Sequence, residues 1–368
     1  MIRVLHLIND LEIGGAEVLL LETLRRLDRG RFDLRVASLL GLGKLGPRFA
    51  EAGIEVIDLS RGGRFSWGSV GRLKSRLRAA PCDILHCHLI HATLIGRWLR
   101  RRGRVPRMMS SQHFDPLALG SIAARLHRMT ARWDDLTVAV SQSVADDLVM
   151  RLRVDAARVA VVENGLDLSR FHPGVAPLDR SEFGLGGDDF VIGTTASLTL
   201  KKGLDLLILA AAAVLREVPR AHVLIAGEGS DRARFESLIA ANGLEGRIQL
   251  VGRIDEVPRF LRMLDVFVLP SRREAFGLSA AEAMACGCAV VHTRVSGLAT
   301  LSEDGVTALH VPAENPQALA DAITRVLRDR DLARRLGTAA TAAAHARFGI
   351  ERSVAQLAAL WERMAATM

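Results

Sequence analysis

The chain has 368 residues, more than one ordinary hydrophobic core accommodates, so two domains are expected. With 49% apolar and 24% charged residues it has the balance of a globular protein, which excludes a disordered or fibrous chain. The formal net charge of +8 belongs to the first half: Met1 to Gly165 holds 26 lysines and arginines against 17 acids, the remainder 23 against 24.

The N-terminus, MIRVLHLIND, reads as a core strand, because its apolar run is too short for a signal peptide and lacks a small-residue cleavage site. No stretch reaches the roughly 18 uncharged apolar residues of a spanning helix. The expected location is cytoplasmic. IRVLHLI, DLRVASL, IEVIDLS, DILHCH, RMMSSQH, LTVAVS and VAVVEN are the strand candidates of the first half. Helical patterns such as AEVLLLETLRRL and SIAARLHRMTARW, apolar at three- and four-residue spacing, fall between them. Continuously apolar strands alternating with helices imply an α/β fold with a parallel sheet covered on both faces.

A second series runs through FVIGTTAS, AHVLIAGEG, RIQLVG, VFVLPS, AVVHT and ALHV. The stretch NGLDLSRFHPGVAPLDRSEFGLGGDD, rich in Pro, Gly and acids and without an apolar period, separates the two series and marks the domain junction. A last helical pattern, ERSVAQLAALWERMA, follows a break at Phe348 and Gly349. The reading is two doubly wound, Rossmann-like domains, residues 1–166 completed by about 348–368, and residues 167–347.

Cys82, Cys87, Cys286 and Cys288 lie in or beside apolar segments, as buried thiols do in a reducing compartment. A zinc set of Cys82, His86, Cys87, His88 and His91 can be written, but DILHCH alternates faces as a strand and its side chains diverge, so no metal site is expected. The positive charge concentrates between Arg72 and Arg107, in RLKSRLR and RWLRRRGRVPR. Such a cluster suits an anionic membrane surface or a phosphate-bearing acceptor, or else is a solvated face. Nucleic acid is not an expected partner, because aromatic interleaving and a recognised binding motif are both missing.

Open α/β sheets bind ligands beyond the carboxyl ends of their strands, so the loops there carry the candidates. Asn9 to Gly15 is the first: Gly14 and Gly15 let a backbone approach a ligand at the start of a helix. The second is Leu198 to Gly203, where Lys202 stands beside a helix N-terminus and doubles its attraction for phosphate. The third, Arg272 to Gly287, sets Glu274 in a loop and Glu282 within the first turns of the following helix. Gly277, Leu278 and Ser279 between them present N–H groups to an anion. Carboxylates accept strong hydrogen bonds from sugar hydroxyls, so one acid suits a ribose and the other a hexose, with a diphosphate between.

IGGAE (13–17), HLIHATLIGR, VAVSQSVADDL, NGLDLSRF, KKGLDLLI, AGEGS and VGRIDEV, the E-x(7)-E spacing of Glu274 and Glu282, EAMACGCAVV and EDGVTALHVPAENPQALADAI follow one another in order. Together they resemble the retaining family 4 glycosyltransferases of the GT-B fold, nearly end to end. The resemblance implies two domains facing across a cleft, with the last helix returning to the first. It implies retaining, metal-independent transfer of a hexose, without a cofactor, from a UDP-sugar or GDP-sugar such as GDP-mannose. The expected acceptor is a hydroxyl, lipid-linked or on a polysaccharide, and the basic charge of the first domain points to one at the inner membrane face.

The same resemblance gives roles to residues. Gly15, with Gly14, lies close to the donor phosphates, and Lys202 neutralises the diphosphate. Glu274 binds hydroxyls of the transferred sugar, Glu282 holds the ribose, and amides around Phe276, Gly277, Leu278 and Ser279 contact phosphate. His113 faces the transferred sugar, and Arg253 and Ile254 contact the base. Ser197 stands where the family usually has an arginine sharing the diphosphate charge, and a hydroxyl does not replace that charge. Weaker leaving-group stabilisation is the consequence, unless Lys201 or another basic residue compensates. A sugar-nucleotide epimerase of similar fold and a non-catalytic nucleotide-sugar-binding protein are the competing readings.

Overall fold

The computed structural model describes all residues except 61, 63–65, 114–119 and 367–368. The chain divides into two compact units, one of Met1–Gly165 with Ile350–Met368 and one of Leu166–Gly349.

The first unit begins with β1 (Ile2–Ile8), α1 (Gly15–Arg25), β2 (Phe32–Ser38), α2 (Gly46–Glu51), β3 (Glu55–Asp58) and α3 (Trp67–Ala79). It continues with β4 (Ile84–His88), α4 (Ile90–Arg101), β5 (Arg107–Gln112), α5 (Ser121–Thr130), β6 (Leu136–Ala139), α6 (Gln142–Met150) and β7 (Val159–Val161). The strands form one sheet in the order β3-β2-β1-β4-β5-β6-β7, with every pairing parallel. β4 is buried along its whole length, as a central strand covered on both faces must be.

The second unit contains β8 (Phe190–Thr195), α7 (Leu204–Glu217), β9 (Ala221–Ala226), α8 (Arg232–Ala241), β10 (Ile248–Gly252), α9 (Val257–Arg262) and β11 (Val266–Leu269). After these come α10 (Leu278–Ala285), β12 (Val290–Thr293), α11 (Ser296–Leu301), β13 (Leu309–Val311), α12 (Pro316–Arg328) and α13 (Arg330–Arg347). Its sheet runs β10-β9-β8-β11-β12-β13, again parallel throughout. The strand order therefore reverses between β1 and β4 in one unit and between β8 and β11 in the other. At such a reversal the neighbouring connections leave in opposite directions and open a crevice at the carboxyl ends.

The final helix, α14 (Ile350–Ala366), belongs to the first unit. Its Trp361 is fully buried and packs edge-on against Phe32 and His6, with ring centroids 5.4 Å away in each case. Burying a side chain of this size contributes about 1.5–3 kcal/mol, enough to keep an amphipathic last helix docked. Among the described residues no helix is long and apolar enough to cross a membrane. All four cysteines are buried free thiols.

Candidate functional site

The loops following β8 and β11 meet at the reversal of the second sheet. After β8 the chain makes a short 3₁₀ turn (Leu200–Lys202) and enters α7 through Gly203, whose φ is +67°. A Cβ at Gly203 would collide with the carbonyl oxygen of Pro270, so the close approach of the two loops requires glycine there. That approach brings together two residues 72 positions apart: Lys202 Nζ donates to Glu274 Oε1 at 3.0 Å and Oε2 at 2.9 Å. Both side chains are largely covered, at 19% and 12% exposure.

Arg272 fastens this arrangement, and no sequence motif announced that role. Its guanidinium holds Asp205 of α7 by two bonds of 2.7 and 2.8 Å, the Leu200 carbonyl at 2.7 Å and Glu314 at 2.6 Å. Its backbone N–H donates to the Lys201 carbonyl at 2.9 Å. Such a planar fork bridges several acceptors, which an ammonium does not. These hydrogen bonds raise the Arg272 pKa, and although burial opposes it, the Asp205 carboxyl is held below its usual range.

Gly277 enters α10 with φ +94°, and a Cβ there would strike Leu298 of α11. The N–H groups of Ala280 and Ala281 both return to the Gly277 carbonyl at 3.0 Å, so those of Leu278 and Ser279 precede the first intrahelical bonds. The Phe276 side chain is buried against Phe348, with ring centroids 5.4 Å apart. Only its backbone is left for the contact that the sequence assigned to it.

Glu282 lies in the second turn of α10. Its surface is partly accessible, yet protein encloses it closely, and this burial pushes its carboxyl up to about 7 while Arg170 pulls the other way. Ser197 is exposed, and among the described residues its hydroxyl meets that of Thr199 at 3.4 Å and no cation. Lys201 is exposed beside it, whereas Arg272 is engaged with Asp205 and Glu314. Arg253 and Ile254 follow β10, at the other end of the sheet from β13, and Arg253 pairs with Asp255 at 3.1 Å. The hydroxyls of Thr194, Thr195 and Ser271, at the ends of β8 and β11, are buried without a hydrogen-bond partner among the described residues. Sequence inspection did not single them out, because threonines closing a strand are ordinary.

In the first unit, Gly14 and Gly15 begin α1, and the buried Glu17 carboxylate occupies the place where a Gly14 Cβ would point. Across the β1/β4 reversal, Asn9 reaches the start of α4 through His91 Nδ1 and the Ala92 N–H, both at 3.3 Å. His113 follows β5, and its Nε2 lies 3.2 Å from His88 Nδ1. Burial lowers its pKa to about 4, so it is a neutral imidazole at physiological pH.

Behind it stand His88, His6 and His86. His6 Nδ1 is 3.0 Å from His88 Nε2, and His86 Nε2 is 2.8 Å from Ser111 Oγ. The ligating atoms of His6, His86 and His88 lie within 4.8 Å of one another. The divergence expected for DILHCH holds for Cys87, which turns to the opposite face against Leu5, Leu7 and Met108. The imidazole that completes the trio comes from β1, paired with β4 so that His6 faces His86. Burial lowers the pKa of all three, and the bonds among them, to Ser111 and to His113 are those of neutral, mutually oriented rings.

The Arg72–Arg107 cluster is partly taken up inside the protein. Arg97 is fully buried, bonding Asp134 at 2.8 and 2.6 Å, and Arg100 holds Asp135 at 2.7 and 2.8 Å. Arg72 caps the Leu59 carbonyl at 3.1 Å, and Lys74 and Arg102 lie over the Trp98 ring at 4.4 and 5.2 Å. As a continuous basic surface, the cluster is smaller than its sequence suggests.

The profile described as Glycosyltransferase Family 4 matches residues 13–170, and that described as Glycosyl transferases group 1 matches residues 176–343. A D-inositol 3-phosphate glycosyltransferase of Nocardia farcinica is 33% identical over 317 residues, covering 79% of this chain and 70% of the relative. One from Salinispora tropica is 30% identical over 396 residues, covering 96% and 82%. Among solved structures, Anabaena HepE with UDP and glucose superposes with TM-score 0.88 at 23% identity, covering 99% of this chain and 100% of that one. Sucrose-phosphate synthase from Thermosynechococcus elongatus gives 0.83 at 20% identity, covering 100% of both. The structural likenesses establish the GT-B fold.

Proposed function

The chain belongs to the family 4 glycosyltransferases, and from that premise we propose that it moves a hexose from a UDP-sugar to a hydroxyl acceptor with retention at the anomeric carbon. The observation that carries this reading is the half-buried Lys202–Glu274 pair beside the N-terminus of α10, at the reversal of the second sheet. A nucleoside diphosphate leaving group gathers negative charge on its phosphates. The Lys202 ammonium and the Leu278 and Ser279 N–H groups supply positive potential that grows in value as the charge develops.

Glu274, released from Lys202 when the diphosphate takes over the ammonium, accepts hydrogen bonds from hydroxyls of the transferred sugar. Glu282 accepts those of the ribose. Arg253 and Ile254 are assigned to the base, and the Gly14–Gly15 turn to the phosphates, by the family resemblance alone. His113, a neutral imidazole, can donate or accept one hydrogen bond to the transferred sugar without adding charge. In this reading the acceptor hydroxyl attacks from the face that the diphosphate vacates, with no covalent enzyme intermediate and no divalent metal. The uridine choice is supported by the UDP held by Anabaena HepE. The names of the relatives make inositol 3-phosphate the first acceptor to assay.

The test is an assay of UDP-glucose, UDP-N-acetylglucosamine, UDP-galactose and GDP-mannose with inositol 3-phosphate and simple glycosides, products being examined by NMR. A product keeping the donor's anomeric configuration supports the proposal; an inverted product overturns the mechanism. An isomerised donor formed without acceptor would replace it with an epimerase.

A further inference from the structure

The helix α5 has its apolar side chains on the wrong side for a core element. Ile122, Leu126 and Met129 are 77%, 43% and 58% exposed, and their i, i+4, i+7 spacing sets them in one stripe along the helix. Eight large apolar residues are exposed among the described residues, and three lie on this ten-residue helix. Singly scattered apolar residues need no explanation, but a stripe does.

The opposite side of α5 is held by polar bonds. The buried Arg97 guanidinium donates to the His127 carbonyl at 3.2 Å and to Thr130 Oγ1 at 3.1 Å, while a carboxylate pair ties it to Asp134. The helix thus keeps its place without burying its apolar stripe.

The charges around the stripe have one sign. Arg125 and Arg128 are exposed on α5, which carries no acid. Arg101 and Arg132, also exposed, flank Trp133 at 4.9 and 5.6 Å from its ring. The nearby acids Asp134 and Asp135 are already paired, with Arg97 and Arg100.

We propose that α5 docks the protein on an anionic lipid bilayer, with Ile122, Leu126 and Met129 entering the headgroup–acyl boundary and Arg101, Arg125, Arg128 and Arg132 meeting lipid phosphates. An apolar stripe edged by arginines on a short surface helix is the chemistry of interfacial attachment. A second copy of the chain fits poorly, because a two-fold contact through this face would set one arginine-bearing, acid-free patch against another. The proposal moves the membrane contact from the body of the Arg72–Arg107 cluster, whose charges are partly engaged internally, to α5, with Arg101 alone retained from that cluster. It does not depend on the donor-site assignment, since its readout is vesicle binding and not transfer.

The test is flotation of the full chain with phosphatidylcholine vesicles and with vesicles containing 30 mol% phosphatidylglycerol, at low salt and in 0.5 M NaCl. Binding at least about tenfold stronger to the anionic vesicles, and weakened by salt, is expected. Ile122→Ser/Leu126→Ser/Met129→Ser should lower that binding at least about tenfold, and Arg125→Glu/Arg128→Glu by a similar factor with loss of salt sensitivity. All five positions are exposed, and an unchanged thermal melt confirms that the variants fold. Equal binding to both vesicle types, no binding at all, or full binding by both variants overturns the proposal. So does a dimer in sedimentation that the triple substitution dissolves while no vesicle binding is seen.

Discussion

Lys202 Nζ sits 2.9 and 3.0 Å from the two carboxylate oxygens of Glu274, so without a ligand each residue satisfies the other. In the proposed reaction a diphosphate offers the ammonium a denser negative charge, and the carboxylate is then released toward sugar hydroxyls. In the proposed reading the pair is a placeholder for the donor, and removing either member strands the other in a largely covered position.

Lys202→Ala and Glu274→Ala are each expected to lower kcat/KM for transfer at least about tenfold. The double variant should lose less than the product of the two single effects, because the residues act as a coupled pair. Steady-state kinetics of the three variants checks this. Unchanged turnover in both single variants removes the site assignment.

Arg272→Lys should raise the donor KM about tenfold while changing kcat little, since it loosens loops without touching reacting atoms. A lysine does not reach Asp205, Glu314 and the Leu200 carbonyl together. A melting temperature lower by a few degrees should accompany the change. Identical KM and melting temperature would show that the clamp does not organise the Lys202 loop.

In its proposed ribose-binding role, Glu282 makes donor binding depend on pH. Its folded pKa of about 7 lies above the unfolded value near 4.5, so this group favours the fold fully below pH 4.5, an advantage lost as pH rises through 7. Ribose hydroxyls, in contrast, are best received by the ionised form. Affinity for UDP-glucose should therefore strengthen from pH 6 to pH 8, by up to about tenfold for the first unit and less thereafter. Glu282→Gln should bind weakly at every pH and yet melt higher than the parent at pH 8, with no difference near pH 4.5. Calorimetric titration and thermal melts read both; a pH-independent parent affinity contradicts the ribose role.

Ser197→Arg should raise kcat. The position is exposed at the rim of the Lys202 loop, where an added guanidinium has room and would share the diphosphate charge. An increase of about tenfold is expected in the same assay. A folded variant with no gain would show that departure of the diphosphate does not limit the rate.

Much of this molecule was legible in its linear order. Alternation of continuous apolar runs with helical periods was enough for two parallel α/β sheets, because strands buried on both faces have no polar alternation to hide. Local chemistry also placed Lys202 at a helix start and Glu274 and Glu282 around another, since caps and glycine turns are properties of a few consecutive residues. The sequence could not show that Phe276 turns into the core or that Arg97 is engaged inside, because burial depends on what packs from elsewhere.

The E-x(7)-E segment and the lysine loop were written in the sequence as separate features. Their meeting was decided only by the sheet order, which sets β8 beside β11 and brings Lys202 to Glu274 across 72 residues. The same holds for Arg272 with Asp205 and for His6 with His86 and His88, each joined through neighbouring strands or their loops. It holds also for the outward stripe of α5, whose period is visible in the sequence while its facing is not. Periodicity and local turn chemistry are encoded within a dozen residues, but which surfaces meet is a property of the whole packed sheet.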